Sequence, residues 1–168
     1  MPTASPAATA TATAPAATAP AAGAPTSMVA MVVQVMADTY VLMVKTHGAH
    51  WNVRGSGFFE LHAAFETQYQ ALLLAADDLA ERVRALGHDV PSSMANMLSL
   101  TGIGEINQTD ATSLVRALRD DHRYLSKRCR EALAAAQEAK DDATADLLIR
   151  RAQEHDKTAW MLSATLGS

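Results

Sequence analysis

The stretch FFELHAAFETQYQALLLAADDLAERVRALG, residues 58–87, decides the fold of this chain. It holds no proline and its one glycine closes it, so it reads as a single helix from about Phe58 to Leu86, with Gly87 just past the end. Wound at about 100° per residue with His62 as zero, Phe65, Tyr69, Leu72, Ala76, Leu79 and Val83 gather near 260–340°. On the same winding His62, Glu66, Asp77 and Glu81 fall at about 0°, 40°, 60° and 100°. The acids therefore border the apolar face instead of lying opposite it. Carboxylates at the edge of a buried face need a counter-charge, and metal ions are one way to supply it.

The surrounding sequence predicts three more long helices. Ser27 to about Val53 is rich in Met, Val and Leu, with Ser27 as its N-cap, and Arg54–Gly57 ends it with two glycines. About 18 of its residues carry no Lys or Arg, long enough to raise a membrane helix. Gln34 and Asp38 interrupt that run, and Lys45, His47 and His50 follow, so a helix buried on much of its circumference is expected, with no membrane. A short helix at about Ser92–Leu100 lies in a long connection. Thr109 or Asp110 caps a third long helix running to about Lys140, and Asp141-Asp142-Ala143-Thr144 starts a fourth that ends near Leu166. Four long helices with a long crossover between the second and third, carrying one short helix, give an all-α, ferritin-like four-helix bundle over residues 27–168. Aromatic residues at 5% agree with helices over sheets.

Residues 1–26 are of another kind. Twelve are Ala, six Thr and five Pro, none is charged, and five of the six prolines of the chain lie there. Repeated proline forbids a continuous helix and nothing large follows Met1, so a disordered tail is expected. The tail lacks the basic and Leu-rich regions of a secretory signal and the arginines of a transit peptide, which points to the cytoplasm. One cysteine, Cys129, fits a reducing compartment and reads as a small buried residue. A net charge of -4 argues against a basic nucleic-acid-binding domain.

Distance sharpens the metal reading. Glu66 and Asp77 are 11 residues apart, about 16 Å along a helix, against metal–ligand bonds of about 2 Å. His62 and Glu66 cannot share a metal with Asp77 and Glu81 of the same chain. If all four serve one centre, this helix must lie antiparallel to its copy across a two-fold axis, and His50 can join from the side of His62. Mixed imidazole and carboxylate donors suit iron, and also zinc or manganese. None of the six histidines has Glu three residues before it, so the Glu-x-x-His signature of an intrachain di-iron bundle is lacking.

At these residues a resemblance becomes specific. His50-Trp51-Asn52-Val53-Arg54-Gly55, then Phe58, Leu61-His62, Phe65, Ala80-Glu81-Arg82 and Leu86-Gly87, resemble the Dps family of mini-ferritins, as does the later run Glu138–Asp146 with Asp156-Lys157 and Trp160. The resemblance implies a hollow homo-dodecamer that oxidises Fe(II), preferably with hydrogen peroxide, and stores ferric iron inside, a ferroxidase protecting the cell from oxidative stress. It implies that His50, His62 and Glu66 of one subunit meet Asp77 and Glu81 of its neighbour. It further implies Trp51 beside the site as a quencher of one-electron oxidants, and Asp142 and Asp146 lining a pore for Fe(II). Two positions depart from the family: Glu66 stands where Asp is usual, and Gln137 where some relatives have a further pore acid.

Two other functions stay open at this point. Relatives that condense DNA commonly use a Lys- or Arg-rich terminus, and here the first basic residue is Lys45, so DNA binding by the tail is expected to be weak or absent. Arg116, Arg119, Arg123, Lys127 and Arg130 nonetheless recur at helical spacing as one stripe, which serves either a salt-bridged face, the favoured reading, or a DNA contact. A zinc-bound structural shell is the third possibility. His47 is expected at an interface, and His122 and His155 receive no role.

Overall fold

A computed structural model describes residues 27–167, so the expected disorder of residues 1–26 lies outside what is described. Five helices follow in order: α1 (Met28–Asn52), α2 (Phe58–Ala85), α3 (Met94–Leu100), α4 (Ala111–Glu138) and α5 (Asp142–Thr165). α1 pairs with α2 and α4 with α5 as helical hairpins, while α1 also packs on α4 and α3 rests on α1. This is the four-helix bundle with a crossover helix that the sequence predicts.

The termini show why the helices stop where they do. Ser27, Asp110 and Asp141 each accept a hydrogen bond from a first-turn backbone N–H, at 3.2, 2.9 and 3.0 Å. α2 ends in a paired-bond cap: Gly87 N–H reaches Arg84 O at 2.9 Å, His88 N–H reaches Val83 O, and Gly87 takes φ 83°. α4 ends the same way two residues before the expected Lys140. Lys140 itself occupies the left-handed position at φ 56°, a place usually given to glycine. The next residue is already the N-cap of α5, so the α4–α5 corner has no slack. α3 begins at Met94, two residues late, because Ser93 and not Ser92 is the cap.

The apolar length of α1, enough by composition to cross a bilayer, is explained by its place in the core. Val32, Val35, Met36 and Leu42 are buried on it against Phe65, Leu79, Leu118, Leu125 and Leu148 of other helices. Its buried Thr39 and Thr46 hydroxyls donate back to Val35 O and Leu42 O, at 2.7 and 2.8 Å, so they cost no lost hydrogen bond. Asp38, fully buried, accepts from Gly102 N–H at 2.7 Å and Thr101 Oγ1 at 2.9 Å and thereby pins the crossover to α1. Burial pushes its carboxyl above the usual range, an effect that those two hydrogen bonds and Arg128 oppose. Lys45 pins a second point, pairing with Asp121 at 2.6 Å and donating to Gly104 O at 2.8 Å.

Candidate metal centre

The turn between α1 and α2 places His50 and His62 against each other. α1 ends at Asn52, and Gly55 (φ 96°) and Gly57 (φ 75°) reverse the chain in conformations that side chains resist. The two imidazoles then stack, with centroids 3.8 Å apart and planes at 21°. His50 Nδ1 lies 2.8 Å from His62 O, and His62 Nδ1 lies 2.9 Å from His50 O. A carbonyl oxygen only accepts, so both Nδ1 atoms carry the proton and donate. In a neutral ring held this way the lone pair falls on Nε2, the atom left to face a metal. This reciprocal clamp uses backbone alone, with no second-layer carboxylate.

Around the pair is an aromatic wall. Phe58 stacks on His62 at 5.2 Å, and Tyr69 meets His50 edge-on at 5.5 Å. His47 stacks on Tyr69 at 4.1 Å and touches Trp51 at 4.0 Å, so it is an aromatic spacer between them. Trp51 is 66% exposed. Sequence reasoning counted Tyr69 only as part of the apolar face; its neighbour across the hairpin, His47, is 22 positions away and carries no local signal.

Glu66 lies one turn beyond His62, exposed, with Gln70 Nε2 donating to it at 3.4 Å. Asp77 and Glu81 are exposed farther along α2. Among the described residues, no three His, Cys, Asp or Glu side chains come near enough to hold a metal ion. One chain thus brings together His50 and His62 alone, with Glu66 one helical turn along α2 from His62 and Asp77 and Glu81 farther along the same helix. Between the two groups of ligand candidates, Leu73 and Leu74 stand 49% and 67% exposed on the same side of the helix.

The remaining candidates fall elsewhere. Asp142 is exposed in the first turn of α5, and Asp146, one turn on, pairs with Arg150 at 2.6 Å. The basic stripe of α4 is largely paired: Arg119 and Arg123 with Asp120, Lys127 with Glu131, Arg130 with Asp156. Cys129 is buried, and desolvation pushes its thiol up to about 12. His122 and His155 form a buried pair in the bundle, 33 residues apart in sequence.

Comparison with known proteins agrees with this architecture. The family model described as Ferritin-like domain matches residues 29–168. A DNA protection during starvation protein of Helicobacter pylori is 33% identical over 134 residues, covering 79% of this chain and 93% of that protein. Among solved structures, Dps from Vibrio cholerae O1, described as a member of the ferritin-like diiron-carboxylate superfamily, superposes with a TM-score of 0.80 at 34% identity, covering 83% and 88% of the two chains. Dps from Listeria innocua soaked with zinc gives 0.81 at 28% identity, covering 84% and 97%. The fold and the family match together define a ferritin-like protein. Within that class, the chain belongs to the Dps family.

Proposed function

We propose that the protein is a mini-ferritin that oxidises Fe(II), preferentially with hydrogen peroxide, at sites shared by two subunits, and stores the ferric product in a dodecameric shell in the bacterial cytoplasm. The observation that carries this reading is the clamp between His50 and His62, which stacks the two rings at a helix hairpin and engages each through Nδ1, leaving Nε2 as the nitrogen for a metal. Glu66 adds a carboxylate from the same chain, and Asp77 and Glu81 of the partner subunit complete the donor set. The exposed Leu73 and Leu74 favour such pairing, since an antiparallel copy of α2 would cover them.

In the reaction, iron is the substrate. Each of two Fe(II) ions gives one electron, the peroxide O–O bond breaks with that pair, and both oxygens reach the oxidation level of water. Carboxylates favour the ferric product over the ferrous ion because they neutralise its extra charge. Zinc or manganese would occupy the same donors and inhibit. Trp51, joined to the site through His47 and Tyr69, quenches a stray one-electron oxidant. Asp142 and Asp146 line the entry pore, where the Arg150 pairing of Asp146 weakens the field on an incoming cation.

The competing function, compaction of DNA, rests on the α4 stripe. Four of its five cations already face a carboxylate, which leaves little free charge for phosphate. The deciding experiment adds Fe(II) anaerobically to the metal-free protein, then hydrogen peroxide, and follows ferric absorbance beside a His50→Ala/His62→Ala variant. Rapid oxidation with iron retained in the protein peak, lost in the variant, is expected. Oxidation no faster than in buffer would overturn the proposal.

A further inference from the structure

The two histidines to which the sequence gives no role meet in the core between α4 and α5. His122 and His155 are only 2% and 1% exposed, and their Nδ1 atoms lie 2.9 Å apart. Between two neutral rings, one donates Nδ1–H and the other accepts with its Nδ1 lone pair. That bond sets the far side of each ring: the donor ring has a bare Nε2, and the acceptor ring an Nε2–H. Both Nε2 atoms are sealed from water, and neither has a partner. Native cores leave few buried polar atoms unpaired, and here two belong to one hydrogen-bonded pair.

A proton has no good place in this arrangement. A first one goes to the bare Nε2 of the donor ring, where the new N–H finds no acceptor. A second takes the Nδ1 lone pair of the acceptor ring, which sets two N–H groups against each other and destroys the bond. No neighbouring charge offsets either step. Arg151 of α5 acts on both rings, and as a cation it opposes the proton. Glu154 and Lys157 of α5 are exposed on the rim of the adjoining cavity, to which α2 brings only uncharged side chains. On α4, Asp121 faces Lys45 of α1 and Arg123 faces Asp120, while Asp156 beside His155 faces Arg130. Asp38, the one acid of α1, faces the crossover. Burial first, and Arg151 after it, hold the His122 imidazole down at about 3; burial, then His122 and Arg151, hold the His155 imidazole well below its usual range.

We propose that the His122–His155 pair is an acid-operated latch: the α4–α5 hairpin stays closed while both imidazoles are neutral and is released when they take up protons. In the released hairpin water reaches both nitrogens of each ring, and the imidazoles titrate at their ordinary value of 6.5. Below that value the open hairpin binds more protons than the closed one, so opening is favoured as pH falls; above it the latch is indifferent to pH. Each proton taken up raises the opening constant tenfold per pH unit, so the pair supplies up to about hundredfold. The helix released is the one that carries Asp142 and Asp146. The latch is separate from the candidate metal centre and does not depend on its reading.

The test is backbone hydrogen exchange of the full-length protein from about pH 4 to about pH 7, corrected for the intrinsic rate and read on peptides of α4 and α5 around the pair. The parent is compared with His122→Gln/His155→Gln, which keeps polar side chains there and cannot titrate. Below about pH 6 the opening constant of the parent is expected to climb more steeply than that of the variant, by about tenfold to hundredfold per pH unit, the effect of one to two protons. Asp38 and Asp121 titrate in both proteins and cancel in the difference. A difference below about tenfold per pH unit, or a parent whose opening ignores pH, would overturn the proposal. If the variant fails to assemble, exchange of the imidazole C2–H in the parent, read by mass spectrometry, decides. Neither His122 nor His155 is expected to titrate above about pH 5 in the closed protein, and titration of either near the ordinary 6.5 would overturn the latch.

Discussion

Replacing Asp141 by Ala tests how the α4–α5 corner is held. Asp141 is the N-cap of α5, accepting from Thr144 N–H at 3.0 Å, and it also receives Arg82 Nη2 at 2.8 Å on both oxygens. Arg82 Nε donates to Thr144 Oγ1 at 2.7 Å, so one guanidinium ties α2 to the start of α5. Loss of an N-cap costs about 1 kcal/mol. The ion pair is partly exposed, 25% at Arg82 and 15% at Asp141, and after solvent screening it adds about 1 kcal/mol. Asp141→Ala is thus expected to destabilise by about 2 kcal/mol and Asp141→Asn, which keeps the cap, by about half of that. Urea unfolding at fixed protein concentration measures both, and an Arg82→Ala/Asp141→Ala cycle isolates the coupling. The hydrogen bonds from Thr144 and Arg82 hold the Asp141 carboxyl down at about 2, so its contribution is complete above its ordinary value of 3.8 and is lost as pH falls through about 2. A loss below about 0.5 kcal/mol, within the range of an unremarkable surface change, or Asp141→Asn as damaging as Asp141→Ala, would refute the reasoning.

Two further outcomes follow from the same structure. The buried Cys129 thiol, raised to about 12, is expected to ignore an aromatic disulfide reagent at mildly alkaline pH and to react fully once the protein is unfolded; prompt reaction in the folded protein would contradict its burial. In a low-salt gel shift the parent protein is expected to leave plasmid DNA unretarded. Asp120→Ala/Asp156→Ala, which releases Arg119, Arg123 and Arg130, is expected to retard it, and retardation by the parent would restore the DNA-compaction reading.

What the sequence makes legible here is what local rules encode. Helical periodicity and the caps at Ser27, Asp110 and Asp141 mark the long helices to within a residue or two, because each signal acts within one turn. Where two neighbours compete, as Ser92 and Ser93 do, or where Lys140 takes a left-handed position without being glycine, the boundary slips. Contacts between distant segments leave no such mark. Asp38 looks like a flaw in an apolar run until Gly102, 64 residues on, supplies its partner. His122 and His155 look like two unrelated buried histidines until α4 and α5 pack. For the candidate centre, the spacing of Glu66 and Asp77 already keeps His62 and Glu66 from sharing a metal with Asp77 and Glu81 of the same chain, and the structure adds the clamp that engages His50 and His62 through Nδ1.

The central claim is that each oxidation site takes ligands from two subunits. It is tested most directly by co-expressing His50→Ala/His62→Ala chains with Asp77→Ala/Glu81→Ala chains and measuring peroxide-driven Fe(II) oxidation in the mixed shells. Each variant alone should be inactive. With random pairing across two-fold axes, half of the pairs are mixed and each mixed pair holds one intact site, so recovery of roughly a quarter of parental activity is predicted. Mixed shells as inactive as either variant alone would contradict the shared site.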